Sequence, residues 1–134
     1  MQKRSPTLED ARAIISELAA REEVIAIILF GSLARNEARP VSDIDLCIVT
    51  KKIPEPVKMD LLSYGSETID ISLLSELPLP IRYRAIREGT VLSCRDTPAL
   101  HAVLADTVRS YLDIEPFIHR ISHRIIGTRE VVAP

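Results

Sequence analysis

The chain has 134 residues, 46% of them hydrophobic and 27% charged, which excludes a disordered segment and suits one globular domain. Lys and Arg number 17 against 19 Asp and Glu, a net charge of -2, which argues against direct binding to a nucleic-acid backbone. Aromatics are 4% with no Trp, so there is little to stack bases on. No apolar run approaches the ~20 residues of a membrane span, and residues 1–10 lack the apolar centre of a signal peptide. The two cysteines, Cys47 and Cys94, make no disulfide framework, so a cytoplasmic protein with no membrane attachment is expected.

Thr7 to Ala20 reads as a helix, because Leu8, Ala11, Ile15 and Leu18 recur three and four residues apart. Thr7 with Asp10 resembles a capping box, and the acid suits the positive helix start. Val24 to Phe30 (VIAIILF) is a short, continuous apolar run, the pattern of a buried strand. It stops at Gly31-Ser32, after which Leu33 to Ala38 is expected as a short helix ended ahead of Pro40. Asp43 to Thr50 is a second strand. Pro54 to Tyr64 is a second helix, with Pro in its first turn and Gly65 just beyond its end. Glu67 to Leu74 is a third strand, followed by a proline-punctuated loop over Glu76 to Pro80. Ile81 to Glu88 is a short helix closed by Gly89, and Thr90 to Arg95 an edge strand. Asp96 or Thr97 caps a last helix running to about Leu112. Pro116 is expected to kink or restart it before Phe117 to Ile126, and Thr128 to Pro134 reads as a loose tail. The alternation predicts an α/β or α+β domain, a small mixed sheet flanked by helices. One domain spans 1–134, its C-terminal helical segment at about 97–126.

The chemistry concentrates between Gly31 and Val49 (GSLARNEARPVSDIDLCIV). Gly31 lets backbone approach a ligand, and free N–H groups with the Ser32 hydroxyl at a helix start form an anion site. Asp43 and Asp45 stand two apart on a strand, so both carboxylates share a face while Ile44 and Leu46 take the other. Asp70 lies in another apolar strand between Ile69 and Ile71, on the face of Ser72. Two bare carboxylates at ~4 Å repel by about 4 kcal/mol at an effective dielectric near 20. Such groups are either spread apart in solvent or held by cations. Oxygen donors in this number suit Mg²⁺ shared with substrate phosphates. Two such ions beside a phosphate-cradling turn form a clamp for in-line phosphoryl or nucleotidyl transfer.

Each feature also has a plain structural reading. Gly31-Ser32 alone is a strand-ending turn, and Arg35 is either a phosphate contact or a solvated helix residue. Arg82, Arg84 and Arg87 read as a solvated face ahead of a phosphate site. His119 and His123 lie four apart without an HExxH pattern and suit a surface or partner face. His101 reads as structural, Cys47 as a small core residue, and Tyr111 and Phe117 as packing residues.

Gly31-Ser32 followed by Asp43-Ile44-Asp45 resembles the signature of the DNA-polymerase-β-like nucleotidyltransferases. The form G-S-x-A-R, then S-D-x-D-L, resembles the minimal nucleotidyltransferases (MNT) among them. Leu77 to Asp96 (LPLPIRYRAIREGTVLSCRD) is similar to the MntA-type antitoxin branch, so the resemblance runs from about Val24 to Phe117. It implies a polymerase-β-like fold, with Asp43 and Asp45 binding the metals, two Mg²⁺ ions. It makes Asp70 the third carboxylate, near the attacking hydroxyl as ligand or base. Gly31 and Ser32 would hold the nucleoside triphosphate, ATP, with Arg35 the adjoining candidate. The function it implies is an antitoxin in a hetero-oligomer with a HEPN-domain toxin, neutralising it by transferring AMP to a toxin tyrosine. Asn36 stands where many relatives have Gly, and Asn tolerates the left-handed conformation such a turn needs. Two other readings stay open: a non-catalytic module that neutralises its partner by occlusion, and nucleotidyl transfer to a small molecule or an RNA end. The acidic balance and the lack of a second domain weigh against RNA.

Overall fold

The computed structural model of the chain describes residues 8–30 and 44–126. The expected cap at Thr7, the short helix over 33–38 and the tail from 128 lie outside the described residues. The elements are α1 (Leu8–Ala19), β1 (Val24–Phe30), β2 (Ile44–Thr50), α2 (Glu55–Leu62), β3 (Ile69–Leu73), α3 (Leu79–Glu88), β4 (Thr90–Cys94) and α4 (Thr97–Ile126). The sheet order is β3-β2-β1-β4. β1 runs antiparallel to both β2 and β4, and β2 runs parallel to β3. Parallel neighbours require a crossover, which α2 supplies. This is the mixed sheet with flanking helices that the alternation of patterns predicts.

β1 and β2 are the central strands, and helices cover both of their faces, which is why their sequences do not alternate. On one face Ile27, Leu29, Ile44, Leu46 and Ile48 pack with Ala11 and Leu18 of α1 and Leu61 of α2. On the other, Ile28, Cys47 and Val49 pack with Ala85 of α3 and Leu100 of α4. An irregularity between Val24 and Ala26 lets the consecutive Ile25 and Ala26 join this second cluster. Arg21, in the turn after α1, donates to Asp60 on α2 and to Glu23 at 3.2 Å, tying the crossover helix to the start of β1.

The structure departs from the sequence expectation in four places. β3 ends at Leu73, and Leu74–Glu76 form a single 3-10 turn that buries Leu74. α3 begins at Leu79 instead of Ile81, because Pro80 fits the first turn, where its missing N–H has no helical partner. α4 fills the expected 97–126 segment but as one helix, with no stop near Leu112 and no restart at Pro116. The carbonyl that Pro116 leaves unbonded belongs to Leu112, an exposed residue, where water can reach it. Gly89 ends α3 in an extended conformation (φ -77°, ψ 166°), so it is not a left-handed cap. Space is what requires glycine there, since a Cβ would stand 2.4 Å from the Ala85 carbonyl oxygen and 2.5 Å from Ile28 Cγ2.

Candidate active site

The pleat of β2 sends Ile44, Leu46 and Ile48 into the α1/α2 core and turns Asp45 to the opposite face, where it is half-buried. β3 repeats the pattern. Ile69, Ile71 and Leu73 are buried on the α1/α2 side, so Asp70 and Ser72 take the other face. The parallel register then sets Asp45 opposite Asp70 and Cys47 opposite Ser72. Neighbouring strands lie ~5 Å apart, so the two carboxylates project side by side. Asp70 is exposed because β3 is an edge strand. On the other side of Asp45, the antiparallel register brings Phe30, the last residue of β1.

These contacts place the described part of the predicted constellation. Asp45 and Asp70 are brought together. Gly31, Ser32, Arg35, Asn36 and Asp43 lie outside the described residues, but the two residues that flank the 31–43 segment do not. Phe30, bonded to Gly31, pairs with Asp45, and Ile44, bonded to Asp43, pairs with Ile69. Among the described residues no three His, Cys, Asp or Glu gather as a metal cluster; of the three expected carboxylates, Asp43 lies outside them. The donor set still fits a hard cation. Two carboxylates on one face, one half-withdrawn from water and one open, leave room for substrate oxygens in the same shell. Phe30, a half-buried wall beside Asp45, was not singled out from sequence. Its signal was its position as the last apolar residue before Gly31.

The remaining candidates are otherwise engaged. Arg82 donates from Nη2 to the Leu77 carbonyl at 3.1 Å, Arg84 bonds Glu88 at 2.9 Å, and Arg87 lies over the Tyr83 ring at 5.8 Å. Arg87 also reaches Glu88, at 3.7 Å, so Arg84 and Arg87 share one carboxylate and all three guanidinium groups serve local structure. Tyr111 stacks on Tyr83 with ring centroids 3.9 Å apart, a packing role. Burial pushes the Cys47 thiol up to about 12, so it stays a neutral core group. His119 and His123 meet edge to face at 4.9 Å. Two clefts open elsewhere, at the Thr50 end of β2. One, of roughly 310 Å³, lies between Val49, Leu74, Arg82 and Val103, and the other, of roughly 370 Å³, is lined by Lys51, Lys52, Lys58 and Glu76. Thr50 is ~16 Å along the strand from Asp45 at 3.3 Å per residue, so neither cleft is the carboxylate site.

Residues 12–98 match the model of the family described as Polymerase beta, Nucleotidyltransferase. A Methanocaldococcus jannaschii protein named as a protein adenylyltransferase is 34% identical over 70 residues, which is 52% of this chain and 56% of that protein. The chain thus spans little more than half of that relative. Among solved structures, a chain from a toxin-antitoxin crystal structure with AMP-PNP superposes with a TM-score of 0.71 at 14% identity, covering 90% of this chain and 100% of that one. A chain from the complex of a tri-AMPylated Shewanella oneidensis HEPN toxin with an MNT antitoxin superposes with a TM-score of 0.67 at 15% identity, again covering 90% and 100%. At such identities the likeness is one of fold. The family match runs from α1 to the start of α4 and includes both facing aspartates: the chain belongs to the polymerase beta nucleotidyltransferase family.

Proposed function

We propose that this protein is a Mg²⁺-dependent antitoxin that transfers AMP from ATP to a tyrosine hydroxyl of a HEPN-family toxin and so neutralises it. The observation that carries the reading is the register pairing of Asp45 with Asp70, which gathers acidic oxygen donors at one end of the sheet, next to the two ends of the 31–43 segment. The solved toxin-antitoxin structures and the adenylyltransferase relative support the choice of acceptor class.

In this reading Gly31, Ser32 and Arg35 hold the triphosphate, and Asp43, Asp45 and Asp70 hold the metal. Bound Mg²⁺ would neutralise phosphate charge. The tyrosine oxygen attacks the α-phosphorus, forming the new O–P bond as the bond to the bridging β-oxygen breaks. Pyrophosphate leaves with that electron pair. Asp70, open to solvent, takes the hydroxyl proton on a carboxylate oxygen and passes it to water. Positioning and charge account for the rate, with no covalent enzyme intermediate.

The test is incubation with labelled ATP, Mg²⁺ and the cognate toxin. Label should appear on the toxin and disappear with Asp43→Asn or Asp45→Asn. An unlabelled toxin, or label undiminished in those variants, overturns the proposal. A variant that no longer labels yet neutralises in full would point to occlusion instead.

A further inference from the structure

α4 carries a longer apolar seam than its own domain uses. Leu100, Leu104, Thr107 and Tyr111 recur at intervals of four, three and four, the spacing of a coiled-coil seam. They are spent inside the domain: Leu100 and Leu104 on the second core cluster, Thr107 at 2% exposure, and Tyr111 on Tyr83. The same spacing then continues through Ile114, Ile118, Ile121 and Ile125. Here burial fades, with Ile121 40% exposed, Ile125 77% and the neighbouring Phe117 58%.

The order four, three, four reads the same in both directions. An antiparallel second copy therefore sets Ile114 against Ile125 and Ile118 against Ile121, twice, about a two-fold axis between His119 and Arg120, as a self-complementary interface requires. The flank agrees. Asp113, Phe117, Arg120 and Arg124 each precede a seam residue and repeat its spacing, and equivalent flanks face each other in such a pair. Reversal brings Asp113 of one copy to Arg124 of the other. It also brings Arg120, already 5.9 Å from the Phe117 ring of its own chain, to the Phe117 of the other. In a parallel pair unlike flanks face each other, and Asp113 and Arg124, 11 positions apart and so ~16 Å apart along the axis, do not meet. A bilayer is the poorer occupant, because Asp106, Asp113 and Glu115 balance Arg109, Arg120 and Arg124 along α4, leaving no net charge for anionic lipid to hold.

We propose that α4 pairs antiparallel with α4 of a second copy of this chain through the Ile114–Ile125 seam. A contact along only ~20 Å of helix ranks with weak interfaces, so monomer and dimer exchange with concentration. Sedimentation equilibrium of the full chain from about 1 to about 200 µM, the range of a weak interface, should show the mass rising from 14.9 kDa toward twice that value. Ile121→Asp, on an exposed position the fold tolerates, should hold it at the monomer. Asp113→Arg and Arg124→Asp should each weaken the dimer about tenfold, because each breaks both symmetry-related charge pairs, and the two together should restore it. Four results would overturn the proposal: a constant monomer mass, a dimer indifferent to Ile121→Asp, a double variant weaker than either single one, and capture by anionic vesicles of a chain that stays monomeric.

Discussion

Asp70→Asn separates a carboxylate kept for chemistry from one kept for the fold. Asp70 is exposed on the edge strand, and the buried Ile69 and Ile71 on either side hold that strand to the core. Changing the acid to its amide disturbs no packing, so stability should stay within about 0.5 kcal/mol, as for surface substitutions generally. Any change should be a gain, because two unit charges ~5 Å apart in a water-like dielectric repel by roughly 0.8 kcal/mol before salt screening. The reaction loses a metal donor and a proton acceptor together. A positioned acid-base group alone contributes ~10²- to 10⁴-fold, so transfer should fall by at least 10²-fold, about 2.7 kcal/mol in the barrier. Ile71→Ala makes the contrast. It empties a core site at 8% exposure, costing about 2–5 kcal/mol of stability, yet leaves transfer per folded molecule unchanged. Urea unfolding and single-turnover labelling of the acceptor, run on both variants, give the two numbers. If Asp70→Asn lost ~2 kcal/mol of stability, a core-sized loss, while transfer per folded molecule held, the carboxylate would belong to the fold and the paired-aspartate reading would fail.

Other consequences are as direct. Gly89→Ala forces a methyl to 2.4 Å from a helix carbonyl that cannot yield alone, so a loss of about 1–3 kcal/mol and a Tm lower by roughly 5–10 °C are expected in a thermal melt; an unchanged melt would show that α3 docks differently. At pH 8 a thiol reagent should count one fast cysteine, the exposed Cys94, with Cys47 appearing only on unfolding; two fast thiols would contradict the burial of β2. The Cys47 thiol also fixes an alkaline trend. Its folded pKa, about 12, lies above the ordinary 9.0, so its contribution to stability is whole below pH 9 and is lost as pH climbs toward 12. Cys47→Val should flatten the decline of urea stability from pH 9 to 11 by up to about 1.4 kcal/mol per pH unit, and equal slopes in the two proteins would refute the shift.

The strands were legible where burial leaves a local mark. VIAIILF and LCIV are apolar on both faces because both faces are covered, and the flanking Ile69 and Ile71 announced the pleat that turns Asp70 outward. Continuity through Pro116 was not legible, since whether a proline stops a helix depends on what its orphaned carbonyl meets, here solvent at Leu112. The reason for Gly89 was hidden too, because the crowding comes from Ile28, some sixty positions away along the chain. Nor does sequence show that the seam of α4 outruns the sheet. The proximal and distal halves have one spacing, and only the fold decides which half is covered.

The facing of Asp45 and Asp70 shows most clearly how a site can be half-written in a sequence. Alternation settles which face each carboxylate takes, because a shift of one residue would expose Ile69, Ile71 and Leu73. A shift of two would not: it would keep the core intact and set Ser72 or Thr68 opposite Asp45. What selects Asp70 is the length of the crossover. α2 ends at Leu62, the Gly65 N–H returns to the Leu62 carbonyl at 3.1 Å, and the Ser66 N–H donates to the Ile69 carbonyl at 2.8 Å. The chain therefore enters β3 from a closed turn, and the Ile44 N–H takes the Thr68 carbonyl at 2.9 Å as the first rung of the ladder. Hydrophobic burial is indifferent between the registers two residues apart. The turn after α2 is not, so the carboxylate pair owes its existence to backbone hydrogen bonds in a segment that carries no catalytic side chain.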